Sequence, residues 1–209
     1  MVGSFFIARH GETVFNAAGR IQGDVEHTPL TRAGFAQAEA MGAALRAHLG
    51  ARPPLALWAS PTGRALQTLA MIAEHVELDW HSARTDERLR EIGMGEWTGR
   101  FYRDIVAETG PLFDPATRLF LRCAPGGEWY DAIAVRLRAW LDDLPEGEGD
   151  RLVVMHGMSA RVLRGLLTGA EAHPACGAPV APDLPQGSIV AIEGDIETVL
   201  HVGTGGGSA

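Results

Sequence analysis

Ser4-Phe5-Phe6-Ile7-Ala8-Arg9-His10-Gly11-Glu12-Thr13 and Arg151-Leu152-Val153-Val154-Met155-His156-Gly157 lie far apart in the chain but share one pattern. Each is a short apolar run, rich in β-branched or aromatic residues, that stops at His-Gly, so Ser4–Ala8 and Arg151–Met155 are predicted strands. Leu55–Ala59 is a third, ended by Ser60-Pro61, because proline cannot continue a ladder but can open a helix. Helical spacing fills the gaps. Thr31 is the expected N-cap of a helix carrying Phe35, Ala38, Met41, Leu45 and Leu49 as far as Gly50. A second helix runs from about Thr62 through Leu66, Leu69 and Ile72 to His75. A third runs from about Glu128 to Asp143, with Ile133, Leu137, Trp140, Leu141 and Leu144 on one face after the Pro125-Gly126-Gly127 break. Ser188–Glu193 and Ile196–Val202 flank Gly194-Asp195, a two-residue hairpin turn.

Alternating strands and helices predict a single α/β domain over residues 1–202: a mostly parallel sheet, helices on both faces and an antiparallel edge strand. The Gly-rich residues 203–209 are expected to be a flexible tail, and 110–127 and 172–186 long loops.

Composition removes whole classes of chemistry. All 18 basic residues other than His are Arg, so no Schiff-base lysine and no phosphate-loop lysine exist. The net charge of −8 opposes binding to nucleic acid or to an anionic membrane unless positive charge is gathered in one place. Cys123 and Cys176 are too few for a disulfide framework, and the N-terminus has neither a basic leader nor a long apolar segment, so a cytoplasmic protein is expected.

Ligands of open parallel sheets bind beyond the carboxyl ends of the strands. The residues found there are Arg9-His10-Gly11, His156-Gly157 and, just past the middle strand, Arg64. Taken singly, each His reads as a hydrogen-bonded structural residue and each Arg as a solvated charge. Together they read otherwise, because burying several cationic groups costs several kcal/mol per ion (roughly) unless an anion pairs with them. The cluster therefore implies a bound dianion, met by planar guanidinium forks.

Further blocks extend the pattern. Asn16, Gln22-Gly23, Pro29-Leu30-Thr31, Gly34 and Gln37-Ala38 follow the first; then come Ser60-Pro61, Arg64-Ala65, Thr68, Leu89-Arg90-Glu91, Gly95-Glu96-Trp97, Gly99, Pro125-Gly126-Gly127-Glu128 and His156-Gly157. In this order they resemble the histidine phosphatase superfamily, the phosphoglycerate mutase-like enzymes. The resemblance implies that His10 is the nucleophile that becomes a phosphohistidine. It implies that Arg9, Arg64 and His156 hold the non-bridging oxygens and that Glu91 is the general acid and base. Asn16, Gln22 and Gly157 would contact substrate at the pocket rim. No metal and no cofactor would be needed, because guanidinium and imidazolium supply the charge. Two departures stand out. Asp24-Val25-Glu26-His27-Thr28 is one residue longer than the usual spacing, and Gly157 stands where the acid-phosphatase branch places Asp.

Other readings are weaker. Glu87 could be the acid, but is expected to pair with Arg88 or Arg90. The His10-Gly11-Glu12 run resembles a zinc-deaminase HxE without the PCxxC that should follow. The five Trp, Trp97, Trp129 and Trp140 among them, are expected in the core or pocket wall. A mutase of this family needs added basic segments, whereas 109–123 offers only Arg118 and Arg122. The expected activity is therefore hydrolysis of a small phosphorylated metabolite, with mutase-type transfer or a non-catalytic phosphate or phosphohistidine binder as alternatives. The leaving group would be read by 24–28, 101–123 and 172–186. The sequence leaves the oligomeric state open.

Overall fold

The computed structural model describes residues 3–205, and alternation along the central strands decides its architecture. In β1 (Phe5–Arg9) Phe5 and Ile7 join one hydrophobic cluster while Phe6 and Ala8 join the other. Successive side chains of a strand point to opposite faces, so a run apolar on both faces needs cover on both. After the one-turn α1 (Val14–Ala17), one face is covered by α2 (Arg32–Leu49) and α3 (Gly63–His75), through Met41, Leu45, Leu69 and Ile72. The other is covered by α5 (Tyr130–Asp142) and α6 (Gly157–Leu167), through Ile133, Leu137, Trp140, Val162 and Leu163.

The sheet order is β3-β2-β4-β1-β7-β8. β2 (Ala56–Ala59) pairs in parallel with β4 (Arg151–Met155) and with the two-residue β3 (Arg84–Thr85), and β4 pairs in parallel with β1. The antiparallel edge consists of two strands, β7 (Ile189–Glu193) against β1 and β8 (Ile196–His201) against β7. The chain is thus the expected mostly parallel α/β sheet with helices on both faces, and its antiparallel edge is a hairpin.

Several details differ from expectation. The segment 101–123 opens with a helix, α4 (Tyr102–Thr109), in which Ile105 is buried. Helix α6, absent from the expected elements, is buried from Gly157 to Gly165, and its polar side chains Arg161 and Arg164 are held by the Ala181 and Pro182 carbonyls and by Glu197. The 172–186 segment contains a small ladder between β5 (Ala172–His173) and β6 (Ala178–Pro179). Phe35 and Trp80 are exposed rather than core. Of the expected tail, Gly203 is buried and donates to the Ser188 hydroxyl at 2.9 Å, and Gly205 lies on the Gln186 carbonyl; residues 206–209 lie outside the described residues. Among the described residues no helix is long and apolar enough to cross a membrane.

Candidate active site

Three adjacent parallel strands end together, and their next residues form the site. The parallel register sets Arg9 opposite Met155, and His10 N–H donates to Met155 O at 3.0 Å. His10 and His156 thereby become neighbours, with ring centroids 5.1 Å apart. Ser60, at the end of β2, donates its N–H to Val154 O and completes the row. The Arg9–Thr13 turn fits because Gly11 and Gly34 lack side chains. A Cβ on Gly11 would lie 2.2 Å from Gly34 O, and one on Gly34 would lie 2.1 Å from Glu12 O.

Hydrogen bonds fix the tautomers of both imidazoles. His10 Nδ1 is 2.7 Å from Gly11 O. A carbonyl only accepts, so Nδ1 carries the hydrogen and Nε2 the lone pair. His156 is the reverse: Nδ1 accepts from Arg64 Nε at 3.2 Å, and Nε2 donates to Ser60 Oγ at 2.8 Å. Burial, and next the Arg64 charge, hold both histidines well below the ordinary imidazole pKa, so both are neutral near pH 7.

The two arginines are placed differently. Arg9 lines the cavity and donates Nη1 to Leu184 O at 2.6 Å, with Asp183 3.7 Å away. Its Nε is buried without a hydrogen-bond partner. Burial lowers its pKa, against the raising influence of Asp183 and Glu91. Arg64 is fully buried, makes no ion pair among the described residues, and does not line the cavity. Besides His156 it donates to Val25 O, to Thr28 Oγ1 at 2.9 Å and to Gly23 O at 2.8 Å. Burial pulls its pKa down to about 10. Arg64 and His156 thus sit buried behind His10, held by hydrogen bonds to each other and to neighbouring segments. The longer 24–28 segment supplies the cradle of Arg64.

Glu91 lies across the cavity at the start of α6. Its carboxylate accepts from Met158 N at 3.1 Å, Ser159 N at 3.0 Å and Ile92 N at 2.9 Å. The first-turn amides of a helix lack intrahelical partners, and the Glu91 carboxylate supplies acceptors for two of them. A residue that the sequence did not single out, Arg136 of α5, grips this segment: it donates to Glu91 O at 3.3 Å and to Arg88 O and pairs bidentately with Glu128. Glu87 pairs with Arg90 and stays out of this cavity.

The cavity has a volume of about 160 Å³. Asn16, Gln22 and Gly157 all line it, together with Arg9, His10 and Glu91. Thr13 Oγ1 sits between the first two, 2.7 Å from Asn16 Oδ1 and 2.6 Å from Gln22 Oε1, and donates its one hydrogen to one of these oxygens. Gly157 approaches Arg9 so closely that a Cβ would lie 3.2 Å from the guanidinium carbon. Glu12, Tyr102, Phe113, Phe120 and Gln186 also line the cavity. The 101–123 and 172–186 segments therefore reach it, whereas 24–28 does not.

Residues 5–200 match the model of the histidine phosphatase superfamily, branch 1. The chain belongs to this superfamily. Within it, the chain is 34% identical over 172 residues to a probable phosphoglycerate mutase of Yersinia pestis, covering 80% of this chain and 76% of that one. A mycobacterial glucosyl-3-phosphoglycerate phosphatase structure is 26% identical, with a TM-score of 0.69 and coverage of 90% of this chain and 89% of that one. A putative alpha-ribazole-5'-P phosphatase from Escherichia coli K-12 shares the fold at 23% identity and a TM-score of 0.71, over 98% and 97% of the two chains. Histidine phosphatase relatives thus include names for both hydrolysis and phosphoryl transfer.

Proposed function

We propose that this protein is a phosphatase that hydrolyses a small phosphate monoester through a phosphohistidine on His10. The observation that carries the reading is the His10 ring. Nδ1–H is held by Gly11 O, and Nε2, which has no hydrogen bond among the described residues, borders a cavity shared with Arg9 and Glu91. In the first step Nε2 bonds to phosphorus, the ester P–O bond breaks, and protonated Glu91 delivers its proton to the departing oxygen. In the second, the Glu91 carboxylate takes a proton from water as that water attacks phosphorus and frees Nε2. Arg9 and the Gly157 N–H meet the non-bridging oxygens from the cavity side, while Arg64 and His156 supply charge and orientation from behind.

Uncatalysed monoester hydrolysis can require ~10²¹ of acceleration, roughly 28 kcal/mol, and one placed acid gives only about 10²–10⁴. The nucleophile and the guanidiniums must therefore carry most of it. The chemistry as proposed routes no step through a metal or cofactor. The catalytic unit is residues 1–202, and we place it in the cytoplasm, where its phosphorylated metabolites would be formed.

The probable mutase relative favours a second reading, transfer of the phosphoryl group back to an organic acceptor. Incubation with 3-phosphoglycerate and 2,3-bisphosphoglycerate separates the two. Phosphate release faster than isomer formation is expected, the reverse would establish the mutase, and His10→Ala is the blank. A protein that binds phosphate without turnover would show neither product and no acid-labile phosphate on His10.

A further inference from the structure

The cavity walls carry information about the leaving group that the phosphate-binding end does not. Besides its polar lining residues Arg9, His10, Glu12, Asn16, Gln22, Glu91 and Gln186, the cavity has an apolar set. That set is Ile92, Met94, Met158, Tyr102, Phe113 and Phe120. The three aromatic rings form a continuous shelf, with centroids 5.8 Å apart between Tyr102 and Phe113 and 4.5 Å apart between Phe113 and Phe120. Phe113 and Phe120 also bridge backbone to backbone, and Phe120 N–H donates to the Tyr130 hydroxyl at 2.9 Å, which anchors the shelf to the core.

Charge around the cavity is equally selective. Its charged lining residues are Arg9, Glu12 and Glu91. Once Arg9 meets the phosphoryl group, a carboxylate or second phosphate on the leaving group would face two glutamates and no further lining cation. The arginines of the adjoining groove are matched as well: Arg90 to Glu26 and Glu87, and Arg136 to Glu128. Arg118 lies over the Phe113 ring, 5.3 Å from its centroid, and does not line the cavity.

We infer that Tyr102, Phe113 and Phe120 form a leaving-group subsite that selects phosphomonoesters of uncharged, apolar or aromatic alcohols over those of acids and polyols. The inference rests on the phosphatase reading for turnover, but its binding component can be tested alone. Burying one phenyl group against such a shelf gives a preference of roughly 10- to 100-fold.

Two measurements on the native protein decide it. The first is kcat/KM for 2-phenylethyl phosphate against glycerol 3-phosphate and 3-phosphoglycerate, alkyl esters whose leaving oxygens need similar help from an acid. The second is calorimetric affinity for benzylphosphonate against phosphonoacetate, which needs no catalysis. The expected result is a preference for the phenyl member of at least about 10-fold in both, falling several-fold in Phe113→Leu and further in Phe113→Ala. Equal or reversed preference in the wild-type protein would overturn the subsite, as would a preference that persists unchanged in a folded Phe113→Leu variant. Absence of turnover with every ester, alongside a retained preference for benzylphosphonate, would sink the phosphatase reading and leave the subsite standing.

Discussion

At the scale of single residues, the neutral state of His10 is the central electrostatic fact. Burial and the nearby guanidinium of Arg64 lower its pKa well below 6.5, so the proposed nucleophile stays unprotonated through neutral pH. The acid limb of kcat/KM that belongs to His10 is therefore expected below pH 6.5, and a pH-rate profile checks it. The same shift bears on stability. A histidine depressed in the folded state binds fewer protons there than when unfolded, so stability declines as pH falls from about 6.5 toward the folded value. Urea denaturation should give a less stable protein at pH 5.5 than at pH 7.5, and His156→Gln should shrink that difference. Glu91 makes a separate prediction. Glu91→Gln removes the proposed proton donor, so kcat for an alkyl phosphate should fall about 10²–10⁴-fold, while p-nitrophenyl phosphate, whose leaving group needs little protonation, loses much less. Equal losses on the two substrates would contradict its role as the acid. For Arg64 the structural cost rivals the chemical one. Arg64→Ala leaves Gly23 O, Val25 O and Thr28 Oγ1 without their buried donor, and a loss of about 3 kcal/mol or more is expected, seen as a Tm drop of roughly 6–12 °C.

At the scale of elements, the turn after β1 is fastened to the start of α2 by backbone proximity, by Thr31 N–H on Glu12 O at 2.9 Å and by Gln37 Oε1 on Glu12 N at 2.7 Å. Gly34→Ala would drive a Cβ into Glu12 O. Overpacking of this kind costs about 1–3 kcal/mol, and here it also displaces the loop that holds His10. Both chemical denaturation and turnover should register the change, whereas Gly50→Ala, where a Cβ meets nothing within 4 Å but φ is +80°, should affect stability alone. The α5 contact with the 88–91 segment belongs to the same scale. Arg136 acts on Glu91 through the backbone, so it is a positioning residue, and Arg136→Lys should lower kcat more than it changes KM.

At the scale of the whole molecule, a parallel sheet ends three strands side by side over one cleft, with Arg9 on its lining and Arg64 buried behind it. Orthovanadate, which mimics a five-coordinate phosphoryl group, should stabilise the folded protein by about 2.7 kcal/mol at 100 times its dissociation constant, and His10→Ala should weaken that response. Much of this was legible in the primary structure. The His-Gly stops after two apolar runs marked the strand ends, and the Thr31 cap and Gly50 stop bounded α2 as found. Glu91, Asn16, Gln22 and Gly157 were named from motif order and all line the cavity. What stayed hidden depended on contacts between distant segments. No local pattern shows that Arg64 is enclosed by Gly23, Val25 and Thr28, that Arg136 holds the backbone of Glu91, or that Tyr102, Phe113 and Phe120 meet in a shelf. Sequence alone determined the chemical groups and the sheet ends that present them, because strand alternation and cap chemistry are local. Tertiary structure decided which guanidinium faces the cavity, which tautomer each imidazole adopts and what the leaving group touches, because those depend on hydrogen-bond partners and neighbours brought together only by folding.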